Sequence, residues 1–160
     1  MIRDLNKQKQ ALSPEECKKI LMQETSGVLA LRGDDDYPYA VPVSYVYANG
    51  KLYFRSAKEG HKIDSIRKYE KTSFCVMWQD HTAPGKYATS YKSVIAFGKI
   101  HIIEEEAHKT AVMKELARGF APSLSDDELN ALVLKLQDNY EILELNIDKL
   151  TGKGSAEPEK

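Results

Sequence analysis

The chain has 160 residues, 42% of them hydrophobic and 29% charged, proportions that suit one soluble globular domain with its own core. Lys+Arg 23 against Asp+Glu 24 leave a net charge of -1, so there is no global field to attract nucleic acid or an anionic membrane, and any anion site must be local. Met1 to Lys7 holds no apolar signal core, and no apolar run approaches the ~20 residues that span a bilayer, which points to the cytosol. Cys17 and Cys75 lie far apart and outside any C-x-x-C, so they read as packed thiols rather than a disulfide or redox pair. His61, His81, His101 and His108 are scattered and show no metal-ligand spacing.

Ser13-Pro14-Glu15-Glu16 is a helix start: Ser13 caps, Pro14 takes the first position and Glu16 closes the capping box, with Leu12 and Cys17 as a hydrophobic staple. This helix should end between Gln23 and Thr25. Gly27 to Leu31 reads as a strand, Gly33 to Asp36 as a turn, and Tyr37 to Ala48 as a second strand closed by Asn49-Gly50, the strongest short hairpin signal. Lys51 to Ser56 should then return antiparallel. A helix from about His61 to Lys68 leads to a strand over Thr72 to Trp78, a polar loop over Asp80 to Lys86, and a long strand from Tyr87 to Ile103, bent or bulged at Gly98. Ala107, Ala111, Val112, Leu116 and Phe120 fall in helical register. Pro122 interrupts them, and Ser125-Asp126-Asp127-Glu128 caps a helix with Leu129, Leu132, Val133 and Leu136 on one face. Tyr140 to Ile147 is the last strand. Residues 1-150 are expected to form the single domain, with a flexible tail over 151-160. Short turns between successive strands give a mainly β (α+β) fold: an antiparallel barrel or sheet with peripheral helices.

Two stretches carry chemistry. Between Leu52 and Ile66 a β-type run breaks into a small-residue turn and then opens a helix. Free N–H groups and the positive dipole end gather there, Ser56 can donate a hydroxyl, and Arg55, His61 and Lys62 can supply charge. A phosphate would fit, although a solvated strand-to-helix connection accounts for the local pattern equally well. In the second strand Tyr37, Tyr39, Val41, Val43, Tyr45 and Tyr47 alternate with Pro38, Ala40, Pro42, Ser44, Val46 and Ala48. One face is bulky and the other mostly small, open to a flat ligand or to tight barrel packing. The hairpin would bring Val43-Ser44-Tyr45 beside the strand from Tyr53 to Ser56. A planar ring near a phosphate-ready turn describes a flavin mononucleotide (FMN).

Gly27-Val28-Leu29-Ala30, Pro42-Val43-Ser44-Tyr45, Tyr53-Phe54-Arg55-Ser56-Ala57, Gly60-His61-Lys62-Ile63-Asp64 and Tyr91 to Gly98 together resemble the pyridoxamine 5'-phosphate oxidase-like, FMN-binding split-barrel superfamily, and most of all its nitroimidazole-resistance (Nim-type) branch. Leu150-Thr151-Gly152-Lys153 is similar to that branch's closing motif. The resemblance implies an antiparallel split β-barrel that forms a homodimer with two FMN molecules at the interface. It would set Val43, Ser44 and Tyr45 along the isoalloxazine edge, Ser56, His61 and Lys62 at the phosphate with Arg55 adding a cation nearby, and Ser93 near the ring. Trp78 and Tyr91 are lesser candidates. Arg55 stands where many Nim-type relatives have His. No counterpart of the pyridoxal phosphate-binding Arg/His/Trp elements follows Tyr140, which disfavours vitamin B6 oxidation. The expected function is an FMN-dependent oxidoreductase passing electrons from a reduced nicotinamide to a small acceptor. The alternatives are a non-catalytic flavin store or sensor and a haem-binding split barrel.

Overall fold

The computed structural model describes residues 1–6, 8–79 and 91–155. The polar loop expected over Asp80 to Lys86, the first residues of the strand expected from Tyr87, His81 and the last five residues of the expected tail lie outside the described residues. Eleven named elements follow in chain order: α1 (Pro14–Gln23), β1 (Ser26–Arg32), β2 (Pro38–Ser44), β3 (Val46–Ala48), β4 (Lys51–Ala57), α2 (His61–Lys68), β5 (Lys71–Gln79), β6 (Tyr91–Ile102), α3 (Glu106–Phe120), α4 (Asp126–Leu136) and β7 (Tyr140–Gly154).

All seven strands join one antiparallel sheet in the order β2-β1-β5-β6-β7-β4-β3. β2 and β3 are neighbours in sequence yet occupy its two edges, so the chain itself links one edge to the other and the sheet curls into a barrel. The expected single strand from Tyr37 to Ala48 is therefore broken, and Tyr45 is the break. Its ring is buried, its hydroxyl donates to the Leu21 carbonyl at 2.9 Å and its N–H donates to the Thr25 carbonyl. Those bonds turn Val46 away from β1 and onto β4. Asn49 and Gly50 both have positive φ, as a two-residue hairpin of the right twist requires. Pairing of β3 with β4 starts at Ala48 with Lys51 and ends at Val46 with Tyr53. Past that point β2 and β4 are not hydrogen-bonded to each other, which leaves the barrel split along Pro38–Ser44 on one side and 54–57 on the other.

The prolines suit that split. Gly33 N–H donates to Tyr37 C=O and Tyr45 N–H to Thr25 C=O, which makes the odd residues of β2 the ones bonded to β1. Pro38 and Pro42 therefore direct their missing donors toward the open seam, where no ladder bond is lost.

The barrel interior holds Leu29, Tyr45, Leu52, Phe54, Phe74, Val94, Leu143 and Leu145, and α1 closes one end with Cys17, Ile20 and Leu21. Both predicted capping boxes form, at Ser13 with Glu16 and at Ser125 with Glu128. Outside the sheet, α3 and α4 bury Val112, Met113, Leu116 and Val133 against Tyr53 and Ile142. A register shift between Phe97 and Gly98 marks the expected bulge. A Cβ at Gly98 would lie 2.0 Å from the Asn146 carbonyl oxygen, so only glycine fits.

β7 departs from expectation at its far end. It runs on through Gly154, pairing Gly152 with Val94 and Lys153 with Ser93. Gly152 permits this, because a Cβ there would meet the Cys17 sulfur at 2.3 Å. Residues 151–154 thus belong to the sheet.

Candidate functional site at the split seam

The phosphate-ready segment has the geometry that its sequence suggests. β4 ends at Ala57, residues 58–60 turn, and Gly60 precedes α2 with φ 120 and no side chain capping the helix. The first helical N–H groups are left to solvent or a ligand. A Cβ at Gly60 would meet nothing within 4 Å, so the approach is open. Ser56 is 5% exposed, and among the described residues its hydroxyl has no hydrogen-bond partner. Lys62, at the second position of α2, is half-buried, has no anionic partner among the described residues, and has its ammonium pushed down by burial. A hydroxyl on a buried residue, a partly desolvated cation and uncapped amides together offer donors to an anion. A phosphate would accept from them.

His61 is not free to join them. Its ring stacks on Tyr39 at 4.1 Å between centroids and 16° between planes, and its Nε2 accepts the Asp34 N–H at 3.2 Å. Asp34 Oδ2 lies 3.6 Å from the same nitrogen. The imidazole ties α2 to the β1–β2 connection, and only its remaining edge is open to a ligand.

Arg55 lies apart from the phosphate turn. Consecutive strand residues alternate faces: Leu52 and Phe54 point into the barrel whereas Tyr53 packs beneath α3 and α4. Arg55 shares the outer side, its guanidinium 4.6 Å from the Tyr140 ring centroid, and so is not the phosphate-side cation expected of it. The ring-edge candidates also separate. Tyr45 is a core side chain, and burial drives its phenol up, so only its backbone is left for a ligand. Val43 packs half-buried against the core, whereas Ser44 is exposed.

Ser93 stands on the outer face, in register with Met77 on one side and Lys153 on the other. The adjacent row on that face reads Pro42, Val28, Cys75, Ile95, Thr151. Trp78 packs against the core with Lys92 Nζ 6.0 Å from its ring, and Tyr91 is 39% exposed. Ser56 near the end of β4 and Lys62 in the first turn of α2 thus stand on either side of the 58–60 turn, whereas Ser44 and Ser93 lie on the outer sheet face.

One polar cluster was not foreseen. Glu144, 4% exposed, takes Lys51 Nζ at 2.7 Å and His108 Nε2 at 2.8 Å, with His101 Nε2 at 3.6 Å. Burial alone would raise its carboxyl, but the hydrogen bonds from Lys51 and His108 bring it down to about 2. Facing it, the Tyr53 phenol is raised to about 12 by burial and by the carboxylate. The sequence signal was an acid set between Leu143 and Leu145, two leucines that both turn out to be fully buried. Among the described residues no group of three or more His, Cys, Asp or Glu side chains is placed to hold a metal ion. Among them, too, no helix is long and apolar enough to cross a membrane.

A family profile described as pyridoxamine 5'-phosphate oxidase matches residues 13–154. No curated protein matches the chain. Among solved structures, a candidate 5-nitroimidazole antibiotic resistance protein from Bacteroides thetaiotaomicron is 21% identical with a TM-score of 0.74, covering 90% of this chain and 86% of that one. An FAD-binding protein from Mesorhizobium loti is 23% identical with a TM-score of 0.64, covering 92% and 98%. The Anf3 flavocytochrome from Azotobacter vinelandii is 15% identical with a TM-score of 0.76, covering 98% and 74%. At these identities the likeness is one of fold, an antiparallel split barrel with peripheral helices. The profile match spans nearly the whole chain, and by it the chain belongs to the pyridoxamine 5'-phosphate oxidase family.

Proposed function

We propose that this protein is an FMN-dependent oxidoreductase of the Nim-type kind, acting as a cytosolic homodimer. The observation that carries this reading is the set of available donors around the β4–α2 turn: the Ser56 hydroxyl, the half-buried Lys62 ammonium and the uncapped start of α2. Flavin-binding proteins among the structural neighbours support it. FMN, when bound, would supply two-electron chemistry between a reduced nicotinamide and a small acceptor.

The chain's own work is then binding and orientation. Lys62 and Ser56 would hold the phosphate, the α2 amides would complete its hydrogen bonds, and the exposed, donor-poor seam of β2 would offer its carbonyls and the Ala40 and Ser44 N–H groups to a flat ring. His61 would keep the phosphate turn fixed against Asp34 and Tyr39.

The purified protein's absorption spectrum, followed by anaerobic addition of NADH or NADPH, tests the function. A flavin spectrum bleached by either nucleotide is the expected result, and a bound flavin inert to both would make the protein a store or sensor. Lys62→Ala should weaken FMN by roughly tenfold to a hundredfold, the effect of losing a charge-assisted hydrogen bond worth ~1.5–3 kcal/mol. Unchanged affinity in that variant would refute the phosphate site.

A further inference from the structure

Beneath α3 and α4 lies a second hollow, about 120 Å³ in volume, on the face of β4 and β7 turned away from the barrel interior. Met113, Leu116, Val133 and Ile142 form its buried walls, and Phe120, 52% exposed, stands among its lining residues. One charged residue lines it, the solvent-exposed Arg55. Its guanidinium lies over the Tyr140 ring at the edge of the hollow and has no carboxylate partner among the described residues.

Such a hollow is hard to explain as packing alone. Its walls are apolar, so water gains few hydrogen bonds inside and an apolar guest is favoured there; a fully enclosed apolar cavity of ~150 Å³ takes benzene. A planar guanidinium left without an anion at an otherwise apolar site is a fork suited to a carboxylate. The size selects a single ring or a short branched chain, and the cation selects a negative head. We propose that the α3/α4 hollow binds a small aromatic carboxylate, its ring among Met113, Leu116, Val133 and Ile142 and its carboxylate on Arg55. This site is separate from the seam and does not depend on the flavin assignment.

Benzoate is the probe, with toluene as the uncharged control, titrated into the purified full chain and followed by amide NMR shifts and calorimetry. Benzoate should shift residues of α3 and α4 saturably. Arg55→Gln should weaken benzoate tenfold or more while leaving toluene unchanged, and should leave FMN affinity unchanged. Ala117→Leu or Ala121→Leu, either of which fills part of the hollow, should weaken both probes. The proposal is overturned if benzoate causes no saturable shift at these helices, or if Arg55→Gln binds it as wild type does. It is also overturned if Arg55→Gln weakens FMN as much as benzoate, which would return the guanidinium to the flavin. Lys62→Ala should leave benzoate binding intact whatever its effect on FMN.

Discussion

Replacing Glu144 by Gln tests how much a buried carboxylate contributes to holding α3 on the sheet. Its carboxyl sits at about 2 against an ordinary 4.5, a depression that corresponds to about 3 kcal/mol. The sign follows from the direction: because the folded form holds its proton less tightly than the unfolded one, the stabilisation is fully present above about 4.5 and is lost as pH falls toward 2. Four groups face this carboxylate: Lys51 from β4, His101 from β6, His108 from α3 and the Tyr53 phenol from β4. Glu144→Gln keeps the shape and removes the charge they share. Urea unfolding followed by the fluorescence of Trp78, the single tryptophan, should show the variant less stable by about 3 kcal/mol at pH 7. The gap between the two proteins should narrow below pH 5 and nearly close by pH 2. Other carboxylates titrate in both proteins and cancel in the difference. A gap that stays constant from pH 7 to pH 2 would refute the electrostatic account and leave only a packing role.

Two other outcomes follow from particular contacts. Tyr45→Phe removes the bond to the Leu21 carbonyl and should cost about 1–2 kcal/mol of stability in the same urea assay, with FMN affinity unchanged; a large loss of FMN at intact stability would mean that the phenol meets the ligand after all. Among the described residues no helix packs over the outer row Pro42, Val28, Cys75, Ile95, Thr151, and Met77 beside it is 71% exposed, so light scattering at micromolar concentration should give twice the chain's 18.1 kDa; a monomer with flavin bound would refute the dimer.

Local signals determined much of this molecule. The two capping boxes, the Asn49-Gly50 turn and the bulge at Gly98 each act within a few residues or on one backbone contact, so side-chain chemistry alone announces them. The start of α2 was legible for the same reason, since a glycine before a helix and a lysine just inside it are local facts. What the sequence could not show was where one element meets another. Tyr45 looked like a ring-edge residue until the Leu21 carbonyl, 24 positions earlier, claimed its hydroxyl. His61 looked free until the Asp34 N–H, 27 positions away, took its Nε2. Arg55 and Ser56 are adjacent in sequence, yet strand alternation sends one toward α3 and α4 and the other to the barrel side. Glu144 finds Lys51 across 93 residues, and Gly152 enters the sheet because Cys17 and Leu12 pack where a larger residue would need room. These partnerships rest on long-range closure of the barrel, in which strand order and register, not local propensity, decide which groups are desolvated together.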